Sequence, residues 1–330
     1  MKTILIFGAS GNVGLYLVYY LINHLNSQEF HLCAVGRRNL SYFKENNIDF
    51  FQLDIQNKDG FNALPSKDVY AVIHLANMLP ARMEKDNPYL YLNINTIGTL
   101  NILEYMRRVK AKRILFTQTY ADLGGYFGKE TILSNTLPRK LNYRGDHAVY
   151  AISKCAAVDL MENYHQEYGI DNFVFRLPNI YMYSPEKYYY VNGIKTLISY
   201  RYMIERAIHG DPIEMWGNPD LGRDIVYVKD LCQMIYLALL CKRDTGTYNV
   251  GTGKMTTIRE QSEGIIEVFS PENKKSQIIP RPEKRNSMSY VMDISEAQKE
   301  LGYIPKYDYI SYLMDYKKEM HSKRWEGIDI

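Results

Sequence analysis

Apolar residues fall in two rhythms along this chain. Short continuous runs such as Ile4-Leu5-Ile6-Phe7 read as buried strands. Stretches with one apolar face, such as Val13, Leu17, Tyr20 and Leu21, read as helices. The two alternate through the first half. Strands are expected at His31–Val35, Phe50–Leu53, Val69–Leu75, Arg113–Thr117 and Phe173–Leu177. Long helices are expected at Pro88–Val109 and from about Asp146 to Tyr168, the second closed by Gly169. Such alternation implies a parallel sheet with helices on both faces, because parallel strands need crossover connections. After Pro178 the rhythm changes to tyrosine-rich loops, a helix near Ile194–Ile208, short strands around Ile213–Trp216 and Ile225–Val228, and a helix over Asp230–Leu240. Thr257-Ile258-Arg259-Glu260 is a capping box, and Ser295-Glu296-Ala297-Gln298 opens one more helix that Gly302 stops. The expected fold is α/β: a doubly wound parallel sheet with a smaller mixed C-terminal substrate lobe closing over its carboxyl edge. Residues 1–178 with parts of 220–250 make the sheet domain, and 179–330 mainly the lobe.

Composition narrows the partners. With 330 residues, 46% hydrophobic and 23% charged, the balance is globular. A net charge of +3 gives no case for nucleic acid or a membrane surface. No apolar run approaches membrane-spanning length, and the N-terminus reads as strand and glycines rather than a secretory signal. Cys33, Cys155, Cys232 and Cys241 have no paired metal spacing, so no metal site is expected and reduced thiols in a cytoplasmic protein are. Thirty tyrosines can bury their rings and keep their hydroxyls wet.

Three places carry chemistry. The first is Gly8-Ala9-Ser10-Gly11-Asn12-Val13-Gly14, between the first strand and helix. Glycines there allow a tight turn, a close approach of backbone to a pyrophosphate, and close helix–strand packing. The helix N-terminus then offers free N–H groups to the phosphates. A turn that binds nothing is the alternative. The second place is Tyr150-Ala151-Ile152-Ser153-Lys154, which on a helix puts phenol and ammonium on one face. A nearby ammonium favours the phenolate and makes tyrosine usable as a general base or acid. An ordinary surface pair is the alternative. The third is Val35-Gly36-Arg37-Arg38, where NAD-preferring proteins place an acid for the ribose 2′-hydroxyl. Two guanidinium groups instead suit a 2′-phosphate, so NADP is the expected cofactor, through Arg37 or Arg38, with NAD as the alternative.

The glycine pattern and the Tyr150/Lys154 pair, in this order and separation, resemble the short-chain dehydrogenase/reductase superfamily. Length and C-terminal lobe resemble its extended branch, the NAD(P)-dependent nucleotide-sugar epimerases and dehydratases, whose fold is Rossmann-type. The resemblance covers nearly the whole chain. Phe51-Gln52-Leu53-Asp54-Ile55 is similar to the third-strand end, where an Asp holds the adenine, and His74-Leu75-Ala76-Asn77 to the fourth-strand turn beside the cofactor. Asn95-Thr96-Ile97-Gly98-Thr99 is similar to the family's Asn-x-x-Gly-Thr helix, and Arg176-Leu177-Pro178-Asn179-Ile180-Tyr181 to the segment leading into the substrate site. Arg223-Asp224-Ile225-Val226-Tyr227-Val228-Lys229-Asp230 resembles a segment whose Arg meets the nucleotide diphosphate, and Pro280-Arg281-Pro282-Glu283 one that also reaches it. Tyr248-Asn249-Val250-Gly251 and Leu301-Gly302-Tyr303-Ile304-Pro305 match late markers.

The resemblance implies hydride transfer at a sugar carbon. Tyr150 handles the hydroxyl proton. Lys154 holds the nicotinamide ribose and lowers the phenol. A hydroxyl after the fifth strand aligns the oxygen; by register it is Thr119, with Thr117 second. Cofactor contacts are expected at Gly8, Ser10, Gly11, Asn12, Val13, Gly14, Arg37, Arg38, Asp54, Ile55, Leu75, Ala76, Asn95, Tyr150, Lys154 and Pro178. Substrate contacts are expected at Asn77, Thr119, Asn179, Arg223 and Arg281, with Tyr181, Tyr183 and Tyr188–Tyr190 either stacking on substrate or packed. His147 is read as a helix-start residue and His74 as the end of a core strand. The 4,6-dehydratases carry Asp-Glu after the catalytic Thr, whereas Tyr120-Ala121 stands here, so a 4-epimerase or 4-ketoreductase of a nucleotide-linked sugar ranks first. Dehydration and a non-catalytic NADP-binding regulator are the alternatives; the retained Tyr-x-x-x-Lys pair favours an enzyme. A homodimer through the two long helices is expected from the resemblance.

Overall fold

The computed structural model describes residues 1–129, 131–145, 147–191, 193–326 and 328. Seven strands form one sheet: β1 (Lys2–Phe7), β2 (Phe30–Gly36), β3 (Asp49–Gln52), β4 (Val69–His74), β5 (Arg113–Thr119), β6 (Asp171–Leu177) and β7 (Thr245–Asn249). Their spatial order is β3-β2-β1-β4-β5-β6-β7 and every neighbouring pair is parallel. The order reverses between β1 and β4, the switch point at which ligands bind in such sheets.

Period two along β1 divides the core. Ile4 and Ile6 join an apolar cluster with Leu17 and Leu21 of α1 (Asn12–His24). Leu5 and Phe7 join another with Ile102 and Met106 of α2 (Gly98–Val109) and Ala157 and Met161 of α3 (Ala148–Tyr168). A fourth helix, α4 (Val228–Leu240), adds Leu231 and Ile235 to the α1 side. No helix among the described residues is long and apolar enough to cross a membrane.

The expected strands are all present within one or two residues of their bounds. Other elements differ. Pro88–Val109 is helical throughout, but Tyr91–Ile97 is a π-helical stretch, of the kind that accompanies functional sites. The expected start of α3 at Asp146 lies outside the described residues. Ile194–Leu197, expected as helix, pairs antiparallel with Tyr188–Val191, and the helix begins only at Ser199. Gly193, just before the second of these strands, takes φ +78°, the left-handed conformation that hairpin turns use. Thr257 and Glu260 form the reciprocal box, at 2.7 Å from Thr257 N–H to Glu260 Oε2. The helix expected to open at Ser295 is present as Ser295–Leu301 with Gly302 as its C-cap, and Asp293 Oδ1 accepts the Ser295 N–H. Tyr181 and Tyr183 are packed rather than presented to ligand. Tyr181 meets the rings of Tyr200 and Tyr312 at 4.9 and 6.1 Å, and Tyr183 those of Tyr316 and Trp325 at 5.5 and 5.9 Å.

Candidate functional site

The glycine turn joins β1 to α1 at the carboxyl edge. Gly8 has φ +84°, and a Cβ on it would come within 2.7 Å of Ala76 N, just past β4. A Cβ on Gly14 would run into Gly8 O, and into Ala9 O at 2.6 Å. Side chains are thereby excluded where β1, α1 and the β4 turn converge. Gly11 occupies the N-cap of α1 and gives no side-chain bond, and no acid stands in the first turn. That end of the helix therefore keeps its N–H donors and positive dipole for an external anion. These residues fit a dinucleotide pyrophosphate. Arg37 and Arg38 are exposed just past β2, where Arg38 donates to Ser10 O at 3.2 Å and Gln52 donates to Arg37 O at 3.3 Å. Asp54 and Ile55 follow β3 beside them; Ile55 supports Gly98, whose Cβ would meet Ile55 Cδ1 at 2.6 Å. Leu75, Ala76 and Asn77 follow β4, half-buried, and Pro178 follows β6.

Thr119 closes β5 opposite Leu177. Gln118 Oε1 accepts its N–H at 2.8 Å, and its Oγ1 accepts Ala121 N–H at 3.1 Å. The same hydroxyl is close enough to the Tyr150 phenol to favour its phenolate. Thr117 points elsewhere, its Oγ1 lying 3.5 Å from His74 O. Thr119, not Thr117, is thus the hydroxyl brought to the phenol. Tyr150 is buried between the rings of Tyr91 and His147, at 6.1 and 6.2 Å. Burial raises its pKa, and the Thr119 hydroxyl only partly offsets this. Among the groups that shift this phenol, Thr119 is the one that favours the phenolate. Lys154 Nζ lies 3.8 Å from the centroid of the Phe116 ring, and burial pushes its pKa down to about 7. Beside it His74 is kept well below its ordinary pKa, by burial first and by Lys154 second.

The π-helical stretch explains how this pair is held. Asn95 accepts Met78 N–H at 2.7 Å and donates to Met78 O at 3.1 Å and to Ser153 Oγ at 3.0 Å. Ser153 donates in turn to Tyr150 O at 2.7 Å, and Thr96 donates to Ser153 O at 3.0 Å. The β4 turn, the π stretch and the Tyr150 turn of α3 form one buried network. Asn95, expected at the cofactor, spends its amide on protein partners. Ser153, between the two expected catalytic residues, carries no mark of this role in the sequence.

On the lobe side, Asn179 is exposed just past Pro178. Arg223 lies on a short strand, Gly222–Asp224, and donates to Ser287 Oγ at 2.8 Å. Its Nε is buried without a partner, its surroundings are the phenols of Tyr181, Tyr290, Tyr120 and Tyr189, and it makes no ion pair among the described residues. Tyr120 packs on Tyr290 at 5.2 Å. The nearest acid to Tyr120 in sequence, Asp122, is committed to Arg176 Nε at 3.0 and 2.9 Å. Arg281 is less available than expected, because it pairs with Glu214 at 2.9 Å. Glu214 also accepts Trp216 Nε1–H at 2.9 Å. Trp216, half-exposed beside Arg281, is a flat aromatic surface that sequence reasoning missed; an isolated Trp before Gly217 is its only mark.

Known proteins resemble this chain over most of its length. A UDP-glucuronate 4-epimerase from Thermodesulfobacterium geofontis is 27% identical over 80% of this chain and 76% of its own. A dTDP-glucose 4,6-dehydratase from Haemophilus influenzae is 26% identical over 93% of this chain and 94% of its own. The crystal structure of a UDP-glucose 4-epimerase with UDP-glucose from Thermotoga maritima superposes with a TM-score of 0.77 at 22% identity, covering 97% of this chain and 100% of that one. At that identity the likeness is one of fold, here Rossmann-like. Residues 4–251 match the model of one family, and on that match the chain belongs to the NAD dependent epimerase/dehydratase family.

Proposed function

We propose that this protein is an enzyme acting on a nucleotide-diphosphate sugar by hydride transfer at a ring carbon, as a 4-epimerase or a 4-ketoreductase. The observation that carries the reading is the buried Tyr150 at the carboxyl edge, one helical turn from Lys154 and with the Thr119 hydroxyl favouring its phenolate. The glycine turn Gly8–Gly14 would hold a nicotinamide dinucleotide, which would supply the hydride acceptor or donor for the sugar carbon. Thr119 aligns the reacting sugar oxygen, and Tyr150 takes its proton or gives it back. Asn95 and Ser153 fix the helical turn from which Tyr150 projects. Dehydration ranks lower because Tyr120 and Ala121 offer no acid and the Asp122 carboxylate is held by Arg176.

Residues 1–178, with parts of 220–250, hold the dinucleotide in this reading, and 179–330 mainly the sugar nucleotide. Arg223, half-buried with no carboxylate partner among the described residues, is poised for the diphosphate, and Asn77 and Asn179 flank the sugar. NADP is the favoured cofactor, because the end of β2 carries Arg37 and Arg38 and no acid. Exposed apolar side chains on the two long helical segments, Tyr89, Leu92, Ile97 and Ile152, support a homodimer. A cytoplasmic setting rests on four unpaired cysteines.

A panel of UDP-, dTDP-, GDP- and CDP-sugars tests the reading, with product analysis and nicotinamide absorbance followed together. Interconversion without net cofactor change marks an epimerase, and stoichiometric NADPH consumption a reductase. Equal affinities for NAD and NADP, unaltered by Arg38→Ser, overturn the cofactor assignment.

A further inference from the structure

At the end of the sheet away from the glycine turn, three side chains of metal-binding type converge. His31 and Cys33 alternate on β2 and so face one side of the sheet. Asp49 opens β3 in register beside Cys33 and faces the same side. The imidazole nitrogen, the thiol sulfur and the carboxylate oxygen lie within 4.8 Å of one another. His31 Nε2 is 2.9 Å from Asp49 Oδ2. The cluster has a floor and an open top: Cys33 is 1% exposed, while the side chains of His31 and Asp49 are 32% and 66% exposed.

We propose that His31, Cys33 and Asp49 bind one divalent cation of the zinc class, with water from the open side completing a tetrahedral set. The donor set decides the class. A thiolate and an imidazole select a borderline transition ion over calcium or magnesium, which take oxygen ligands. Ligand atoms around tetrahedral zinc stand roughly 3.5 Å apart, given Zn–N and Zn–S bonds of about 2.0 and 2.3 Å. The present spacing closes to that by side-chain rotation, because the strand register already fixes the backbone. The exchange balances: the thiol proton leaves to solvent, neutral His31 binds through Nε2 with its proton on Nδ1, and Asp49 is already anionic. Burial, with Asp49 adding to it, raises the Cys33 thiol. Tyr105 is the other titratable group facing the thiol, and its hydroxyl is held by Pro65 O at 2.6 Å.

The consequence is structural. β3 has four residues and is the edge of the sheet, paired only to β2. A shared cation would pin it at the end remote from Arg37, Arg38 and Asp54. No spacing signal marks the site in the sequence, since the third ligand comes from the neighbouring strand.

The test uses the full chain, stripped of metal and titrated with cobalt(II) and then zinc(II). Expected are one equivalent bound, a near-ultraviolet thiolate-to-cobalt charge-transfer band, its displacement by zinc, and a higher melting temperature with zinc. His31→Ala, at a half-exposed position, weakens cobalt binding at least tenfold with dinucleotide binding unchanged. Cys33→Ala removes the band. If the Cys33 variant does not fold, the His31 variant decides alone. Absence of the band, or cobalt affinity unaffected by His31→Ala, overturns the site and leaves an ordinary His31–Asp49 ion pair.

Discussion

Tyr150 and Tyr312 are both buried, and burial raises the pKa of both phenols. Their surroundings then diverge. Tyr150 lies at the carboxyl edge of a parallel sheet, meets one threonine hydroxyl, and is one turn from a lysine that burial drives toward neutrality. Tyr312 lies in an aromatic cluster with Tyr181, Tyr227, Tyr309 and Tyr316, and its hydroxyl is buried without a partner. The perturbed pKa is common to both and so identifies neither. What separates them is the partner atom and the place in the fold. A phenol with a positioned hydroxyl at a switch point can exchange a proton with a ligand. A phenol among rings contributes area and contact.

The sharpest way to break this contrast is Tyr150→Phe. Removing the hydroxyl leaves the ring and its packing against Tyr91, so the fold and dinucleotide affinity should stay unchanged. Turnover should fall by about 10²–10⁴, the usual weight of a positioned acid–base group. Single-turnover kinetics on the substrate found in the sugar panel, with dinucleotide titration alongside, read both quantities. Turnover within a few-fold of the unaltered protein would remove Tyr150 from the chemistry.

The second change tests the other side. Tyr312→Ala should cost about 3–5 kcal/mol, the range for deleting a large buried aromatic. Tyr312→Phe should be nearly neutral in stability, because the hydroxyl it deletes has no partner. Urea denaturation midpoints measure both. A large loss from Tyr312→Phe would show that the cluster depends on its hydroxyls, and the contrast with Tyr150 would narrow.

How much of this was legible in the chain follows from the same contrast. The alternating strands and the helices that bury them show up in apolar period, and Gly8 to Gly14 and Tyr150 to Lys154 carry their chemistry within one local stretch. The Thr119 position could be read because strand register is local too. The roles of Asn95 and Ser153 could not: their bonds join β4, the π stretch and α3 across long sequence separations. The fate of the tyrosines was equally hidden. Tyr181 and Tyr183 look alike on a loop or in a core until the segment Tyr309–Glu319 is known to pack on them. Arg281 read as free because Glu214, its partner, lies on a different strand.

The smallest predicted effect concerns pH and Lys154. Its native pKa of about 7 lies below the ordinary lysine value of 10.5. Between those values the unfolded chain carries a proton that the native lysine does not, so stability rises with pH from about 7 upward. Below pH 7 the native state bears the full cost of a buried ammonium. A tenfold difference in proton affinity between the two states corresponds to about 1.4 kcal/mol, so a gain on the order of 2 kcal/mol is expected between pH 7 and 9. The tyrosine cluster has no part in that window, because phenols titrate near 10 in the unfolded chain and higher in the native one; they act above pH 10 and with the opposite sign. Lys154→Met should therefore flatten the rise between pH 7 and 9, and Tyr312→Phe should leave it in place. Denaturation midpoints at pH 7, 8 and 9 decide the matter, and an unchanged slope in Lys154→Met would place the titrating group elsewhere.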